Sequence, residues 1–169
     1  MMLSELKGVE PLQGAKVLYL DDSSQFQLKF LTNLTLATRR RIERIYYHGE
    51  SVEEIVCSIR ERMKRCPSPH LLIVDGRLDM LPSLEPAPRG IDGYDVVRGL
   101  APDLLERGIV SIGFSTTFDR REPFLRAGAD GFVRKTIPAE SAVEAMASKY
   151  RRALARIRCG RDREFSPQD

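Results

Sequence analysis

Two short apolar segments that end in carboxylates constrain this sequence more than any other feature. In one, the four apolar residues 71–74 are followed by Asp75, and in the other the apolar residues 17–20 are followed by Asp21 and Asp22. Short runs of this kind are typical of buried strands in a parallel sheet. Each strand would carry its acids to the C-terminal edge of the sheet, where open α/β sheets bind ligands.

A simpler role for these acids is helix capping, which is the commoner role of Asp where a strand turns into a helix. Capping accounts for Asp22, which precedes two serines. It accounts less well for the adjacent Asp21 and for Asp75, which is followed by Gly76. We therefore predict one acidic site that contains all three carboxylates.

Length and composition indicate one globular domain with short tails. The 169 residues are 42% hydrophobic and 30% charged, which are ordinary globular values. No apolar run approaches the ~20 residues needed to span a bilayer, and the N-terminus lacks a signal peptide pattern, so we predict a cytoplasmic protein without membrane insertion. Three cysteines without C-x-x-C spacing argue against a disulfide framework or a structural zinc.

Strand and helix patterns alternate along most of the chain. The predicted strands are 16–21, 42–47, 71–75, 108–114 and 131–134. The predicted helices are one capped by Asp22 or Ser23 that runs to about Thr38, one opened by a capping box at Ser51 and Glu54, one starting near Asp92, one at about 121–127, and one after Pro138. This βα series predicts an α/β fold with a doubly wound, five-stranded parallel sheet of order 2-1-3-4-5.

Three segments and one proline lie outside this pattern. Residues 1–14 are predicted to be an N-terminal extension packed loosely or not at all, and residues 158–169 a C-terminal tail, leaving a domain at 15–157. The proline-rich residues 77–89 are predicted to form a long inserted loop, and Pro102 to mark a helix break or a new first turn.

In a sheet of this order the ends of strands 1, 3, 4 and 5 lie near one another. The residues at those ends that can act chemically are Asp21, Asp22, Asp75, Ser115 and Lys135. Three carboxylates repel one another unless a cation lies between them, and their hard oxygen ligands suit Mg²⁺. A carboxylate can also attack phosphorus to form an aspartyl phosphate, which a hydroxyl and an ammonium group would stabilise.

This set of residues resembles the receiver domains of two-component response regulators. In those domains an acidic pair follows strand 1, here Asp21 and Asp22, and the phospho-accepting Asp follows strand 3, here Asp75. A Thr or Ser follows strand 4, here Ser115, and a Lys follows strand 5, here Lys135. Five separated positions agree, and the resemblance covers about residues 15–157.

Three further segments extend the resemblance to these flavodoxin-like receiver domains. They are the Asp-Gly opening of helix 3 at Asp92, the Ala-Gly-Ala-Asp sequence at 127–130, and the aromatic switch position at Phe132. The resemblance implies that a histidine kinase or histidine phosphotransfer protein donates a phosphoryl group to Asp75. It also implies a signalling domain, not a turnover enzyme.

The resemblance further implies the roles of individual residues. Mg²⁺ would be held by Asp21, Asp22, Asp75 and the backbone carbonyl of Arg77. Ser115 and Lys135 would move toward the phosphoryl oxygens, and Phe132 would turn inward as the face formed by helix 4, strand 5 and helix 5 rearranges. Output would then be the binding of a downstream protein target by a stand-alone receiver domain.

The sequence departs from the family pattern in three places. Asp92 lies seventeen residues after Asp75, so the intervening loop is longer than usual. The segment from Ser115 to Gly128 is shorter, which predicts a short or displaced helix 4. Lys135 is separated from Pro138 by two residues instead of preceding the proline directly.

Other functions stay open on the sequence. A pseudo-receiver would bind partners without phosphate because the inserted loop has remodelled the site. A haloacid-dehalogenase-type phosphohydrolase also uses an Asp nucleophile but needs an Asp-x-Asp sequence, which neither Asp21 nor Asp75 begins. The basic residues after 134 could meet nucleic acid, although no recognition motif supports this. A homodimer through helices 4 and 5 is neither required nor excluded.

Overall fold

The computed structural model describes most of the chain, with side chains except at Tyr46 and residues 161–164. The described ranges are 6–21, 28–46, 51–65, 68–78, 90–135 and 138–164. Predictions for Asp22, for the start of the first helix and for most of the inserted loop therefore lie outside the described residues.

In the described ranges, seven strands form a five-stranded sheet and a two-stranded ribbon. They are β1 (Val17–Asp21), β2 (Glu43–Tyr46), β3 (Leu71–Asp75), β4 (Arg77–Leu78), β5 (Ile91–Asp92), β6 (Val110–Ser115) and β7 (Gly131–Arg134). The main sheet has the order β2-β1-β3-β6-β7 and is parallel throughout. Its five strands thus follow the predicted order 2-1-3-4-5, and the predicted fold class is confirmed.

Helices cover both faces of the main sheet. They are α1 (Leu28–Thr38), α2 (Val52–Met63), α3 (Gly93–Arg107), α4 (Arg121–Arg126) and α5 (Ala139–Glu164), with 3₁₀ helices at Glu10–Leu12 and Phe118–Arg120. One apolar core lies between the sheet and α1 with α5, and a second lies between the sheet and α2, α3 and α4. All residues of β1 and β3 are buried, as expected for central strands covered on both faces.

The predicted capping box begins α2. The Ser51 hydroxyl accepts a hydrogen bond from the Glu54 amide at 3.2 Å, and the Glu54 carboxylate accepts one from the Ser51 amide at 2.8 Å. Two donors at the start of the helix are therefore satisfied by side chains, and this prediction is confirmed.

The prediction for Pro102 is wrong, because α3 runs through it without a break. A proline in a helix removes the hydrogen bond to the carbonyl four residues earlier, here that of Arg98. Both Pro102 and Arg98 are exposed, so water can hydrate that carbonyl. The opposite face is buried, with Leu100 before the proline and Leu104 after it, and holds the helix in place on both sides of Pro102.

The terminal segments also differ from the prediction. In the described part of the N-terminal extension, Val9 and Leu12 are buried in the core with α1 and α5, and the Gly14 amide bonds the Thr38 carbonyl at 2.9 Å. The segment is too short to show a hydrophobic period, and it is interrupted by Gly8, Pro11 and Gly14. The sequence pattern therefore does not predict this packing. At the other end α5 continues to Glu164, past the predicted boundary at residue 157.

The start of the predicted loop 77–89 is instead a strand. Arg77 and Leu78 pair antiparallel with Asp92 and Ile91, so β4 and β5 close the base of the insertion. The Leu78 side chain is buried in the core and holds β4 against the domain. Residues 79–89 lie outside the described part of the chain. No helix among the described residues is both long and apolar enough to cross a membrane.

Candidate functional site

The C-terminal edge of the sheet carries four of the five residues that the sequence places in one site. Asp21 ends β1, Asp75 ends β3, Ser115 ends β6, and Lys135 follows β7 directly. Pairing of Asp75 with Phe114 and of Ser115 with Arg134 aligns these strand ends. Asp22, the fifth predicted residue, is outside the described residues.

Asp75 is buried and paired with Lys135. The Asp75 residue is 5% exposed, and its Oδ2 accepts a hydrogen bond from the Lys135 ammonium group. That ammonium lies 5.4 Å from the centre of the Phe114 ring, a cation–π contact that directs the lysine over the sheet edge. The Lys135 amide bonds the Ser115 carbonyl at 2.8 Å, which anchors the lysine backbone beside β6.

Ser115 lies against the chain that leaves Asp75. A Cβ atom built on Gly76 would lie 2.3 Å from the Ser115 Oγ, so only glycine permits this approach. The Ser115 hydroxyl is 3.4 Å from both the Oγ1 and the amide nitrogen of Thr117. The hydroxyl, the ammonium and the Asp75 carboxylate thus occupy one corner of the site.

Asp21 is fully buried, and its charge is balanced by Arg44. The Asp21 Oδ2 lies 2.7 Å from the Arg44 Nη2, and Arg44 reaches it from the edge strand β2. Sequence reasoning missed Arg44, because a basic residue in a strand is usually solvated and the run of arginines before it carries no pattern. Arg44 meets Asp21 because β2 pairs with β1. The local sequence around Arg44 does not show this pairing.

A third ion pair, also missed, joins the start of α3 to the segment before α4. The Arg120 Nη1 donates to the Asp92 Oδ1 and to the Gly76 carbonyl. The Tyr94 hydroxyl donates to the Asp92 Oδ2 at 2.8 Å, and this bond to a carboxylate raises the pKa of Tyr94 above its ordinary range. Asp92 is therefore held from two sides.

The Asp-Gly sequence at the start of α3 has a steric reason. A Cβ atom on Gly93 would lie 1.9 Å from the Asp75 carbonyl oxygen, an impossible contact. The Gly93 amide also donates to the Gly76 carbonyl at 3.1 Å. Glycine thus lets α3 begin directly against the end of β3, as the sequence resemblance predicts for this helix.

Phe132, the predicted switch residue, is turned inward in this structure. It is buried and contacts Phe124 of α4 at a ring-centre distance of 6.0 Å. On the other side Phe118 meets it nearly edge-on at 6.5 Å, and Phe118 itself is 60% exposed. The short α4, six residues long, agrees with the expected shortening of this segment.

The oxygen donors at this edge fit Mg²⁺. Asp21 and Asp75 come from neighbouring strands, and magnesium in proteins is commonly held by one or two carboxylates with water completing the octahedron. Within the described residues there is no group of three acidic, His or Cys side chains arranged around a metal. Asp22, which would add a third carboxylate, lies outside that part of the chain.

No family model and no curated protein matches this sequence. Solved structures do match. The receiver domain of the histidine kinase CKI1 from Arabidopsis thaliana, complexed with Mg²⁺ and BeF₃⁻, is 17% identical, with a TM-score of 0.58 over 88% of this chain and 95% of its own.

Two other matches are of the same kind. A signal receiver domain from Vibrio parahaemolyticus is 21% identical, with a TM-score of 0.54 over 84% of this chain and 94% of its own. The BeF₃-activated DrrB receiver domain is 18% identical, with a TM-score of 0.52 over 82% and 97%. The chain therefore has the fold of response regulator receiver domains.

Proposed function

We propose that this chain is a response regulator receiver domain that accepts a phosphoryl group on Asp75. The observation that carries the proposal is the buried pair of Asp75 and Lys135 beside the Ser115 hydroxyl, at the C-terminal edge of a sheet with the receiver fold. A nucleophilic carboxylate, a hydroxyl and an ammonium are the groups that phosphoryl transfer to a carboxylate needs.

In the proposed reaction an Asp75 carboxylate oxygen attacks phosphorus of a phosphohistidine. The new P–O bond forms as the P–N bond breaks, and the histidine of the donor leaves. Lys135 and Ser115 would then bind phosphoryl oxygens instead of the free carboxylate. The contact of the Lys135 ammonium with the Asp75 Oδ2 supports this role for Lys135.

Asp21, Asp22, Asp75 and the Arg77 carbonyl would hold Mg²⁺ in this proposal. When bound, the ion would neutralise negative charge on the transferring group. Asp21 is fully buried and fixed by Arg44, so its carboxylate is oriented before any ligand binds. The Arg77 amide contacts the Asp75 Oδ1 at 3.4 Å, which places this residue beside the acceptor.

The proposed partners are a histidine kinase or histidine phosphotransfer protein as donor and a downstream protein as target. The surface that would signal is formed by α4, β7 and α5, because Phe132 links the site to α4 through Phe124. Ser115 and Phe132 would be the switch residues. The new charge would shift the population between two arrangements of this face, in a cytoplasmic signalling domain that does not turn over a substrate.

A phosphate-affinity gel after incubation with acetyl phosphate tests the proposal. We expect a retarded band that requires Mg²⁺ and disappears in D75N. D103N is the matched control, since Asp103 lies near the C-terminal end of α3 in an ion pair with Arg60, away from the helix start that meets Asp75, and should leave the shift unchanged. A D75N protein that shifts like wild type would overturn the assignment of the acceptor. No shift in wild type, even with a phosphorylated histidine donor, would favour a pseudo-receiver.

A further inference from the structure

Every acid that the structure describes at the sheet edge has its own cation. Each pair joins a carboxylate on one element to a basic side chain on another, and the three are Asp21 with Arg44, Asp75 with Lys135, and Asp92 with Arg120. Adding a phosphoryl group to Asp75 replaces one negative charge by about two, so a further basic side chain near Asp75 would be stabilised by contact with it.

Arg120 lies close enough to take up the added charge. Its Cδ would be 3.0 Å from a Cβ atom built on Gly76, and the Ser115 Oγ would be 2.3 Å from the same point. Arg120 and Ser115 therefore flank one spot on the residue that follows Asp75. The guanidinium extends beyond Cδ, so it can reach oxygens that the Ser115 hydroxyl also reaches.

The guanidinium also keeps donors in reserve. Its hydrogen bonds to Asp92 and to the Gly76 carbonyl both use Nη1. Within the described residues, Nε and Nη2 of Arg120 donate no hydrogen bond. A planar fork with unused N–H groups is the geometry that binds phosphate in a bidentate way.

We propose that Arg120 is a second phosphoryl-binding cation, which turns from Asp92 toward the phosphoryl group on Asp75. The proposal rests on the function proposed above and adds a binding residue to it. Asp92 acts as the competing anion, and its bond from Tyr94 keeps it hydrogen-bonded when the arginine leaves. Arg120 is the last residue of the 3₁₀ helix that precedes α4, so its movement would shift the start of α4 and with it the face formed by α4, β7 and α5.

Titration with beryllofluoride in the presence of Mg²⁺ tests this, with the fluoride complex standing in for the phosphoryl group. We expect R120Q to bind it about tenfold more weakly, as expected for one lost charge-assisted hydrogen bond. D92N should bind it more tightly, because the competing carboxylate is removed. R121Q is the matched control, since Arg121 is the next residue, is exposed and pairs with the exposed Glu122, and it should change affinity less than about twofold.

The opposite directions of the two variants separate ligand binding from a structural role. If the Arg120–Asp92 pair only holds the fold, R120Q and D92N should weaken binding alike and lower the free energy of unfolding in parallel. That outcome, or an R120Q affinity equal to wild type, would overturn the inference while leaving the proposed function intact. A wild-type protein that neither binds beryllofluoride nor accepts phosphate would instead contradict the proposed function itself.

Discussion

Individual residues at the sheet edge are constrained by charge and by close approach. Asp21 and Asp75 are buried acids, and burial of a carboxylate is costly unless a cation and hydrogen bonds accompany it. Arg44 and Lys135 provide those cations. These ion pairs therefore fix the two carboxylates at the sheet edge, and removing either cation would leave a buried charge uncompensated.

Replacing Arg44 should destabilise the protein through Asp21. R44Q leaves the fully buried carboxylate without its arginine, and we expect a loss of about 2 to 4 kcal/mol. This is near the cost of breaking a buried pair, reduced because the Arg44 side chain is 26% exposed. Urea unfolding measures the loss. R41Q removes a nearby exposed arginine and should cost less than about 0.5 kcal/mol, so equal losses in the two variants would contradict this account.

Asp130 should make stability depend on pH. Burial raises its pKa above the ordinary 3.8, although the Ser111 amide at 3.0 Å and Arg156 oppose this shift. The folded state thus binds the proton more tightly than the unfolded state. The free energy of unfolding of wild type relative to D130N should therefore fall as pH rises from about the ordinary value through the raised one, and then level off.

Urea midpoints between pH 3 and pH 7 measure this difference. D119N, which removes an exposed carboxylate, provides the control and should show a flatter difference. A difference that rises with pH for D130N would mean that Arg156 outweighs burial at this position.

Among individual residues, the sequence predicts the acids, Ser115 and Lys135, because each lies at the end of a strand that its apolar run predicts. It does not predict Arg44 or Arg120. Arg44 follows several other arginines with no distinguishing spacing, and Arg120 lies in a short 3₁₀ helix. Their importance depends on which strands and turns become neighbours in space.

Among the secondary-structure elements, the first 3₁₀ helix is the clearest departure from expectation. Glu10–Leu12 packs under α1 and α5, and Leu12 is fully buried. The segment therefore belongs to the folded core and not to a loose extension. Its three residues carry no amphipathic period, so only the packing reveals it.

The variant L12A measures how much this element contributes. We expect a loss of about 2 to 5 kcal/mol in the free energy of unfolding, as for other buried Leu-to-Ala changes. L28A, at a leucine that is 74% exposed at the start of α1, should stay within about 0.5 kcal/mol of wild type. If L12A were as stable as L28A, the Leu12 side chain would contribute little to the core, and the loose extension predicted from the sequence would be correct.

The other elements show where local patterns suffice. The capping box of α2 and the glycine start of α3 are local, and both are correct. Local patterns fail at Pro102 and at the β4–β5 ribbon. A buried face keeps α3 helical across Pro102, and the buried Leu78 side chain fixes a strand where the sequence predicts a loop. Packing at those two places outweighs the propensity of the proline and of the loop sequence.

For the whole molecule, the sheet order follows from the alternation of strands and helices together with right-handed crossovers. That order brings Asp21, Asp75, Ser115 and Lys135 to one edge, so most of the site follows once the fold class is known. The insertion between β3 and α3 leaves the site in place, since β4 and β5 join its two ends beside Asp75.

The most direct test of the account is to locate the phosphoryl group chemically. After treatment with acetyl phosphate and Mg²⁺, borohydride reduction would convert an aspartyl phosphate to homoserine, and tryptic peptides would then be sequenced by mass spectrometry. Peptide 66–77 contains Asp75 as its only acid, whereas peptide 17–29 contains Asp21 and Asp22. We predict homoserine at position 75 alone. Homoserine in peptide 17–29, or an unmodified peptide 66–77 from phosphorylated protein, would contradict the account.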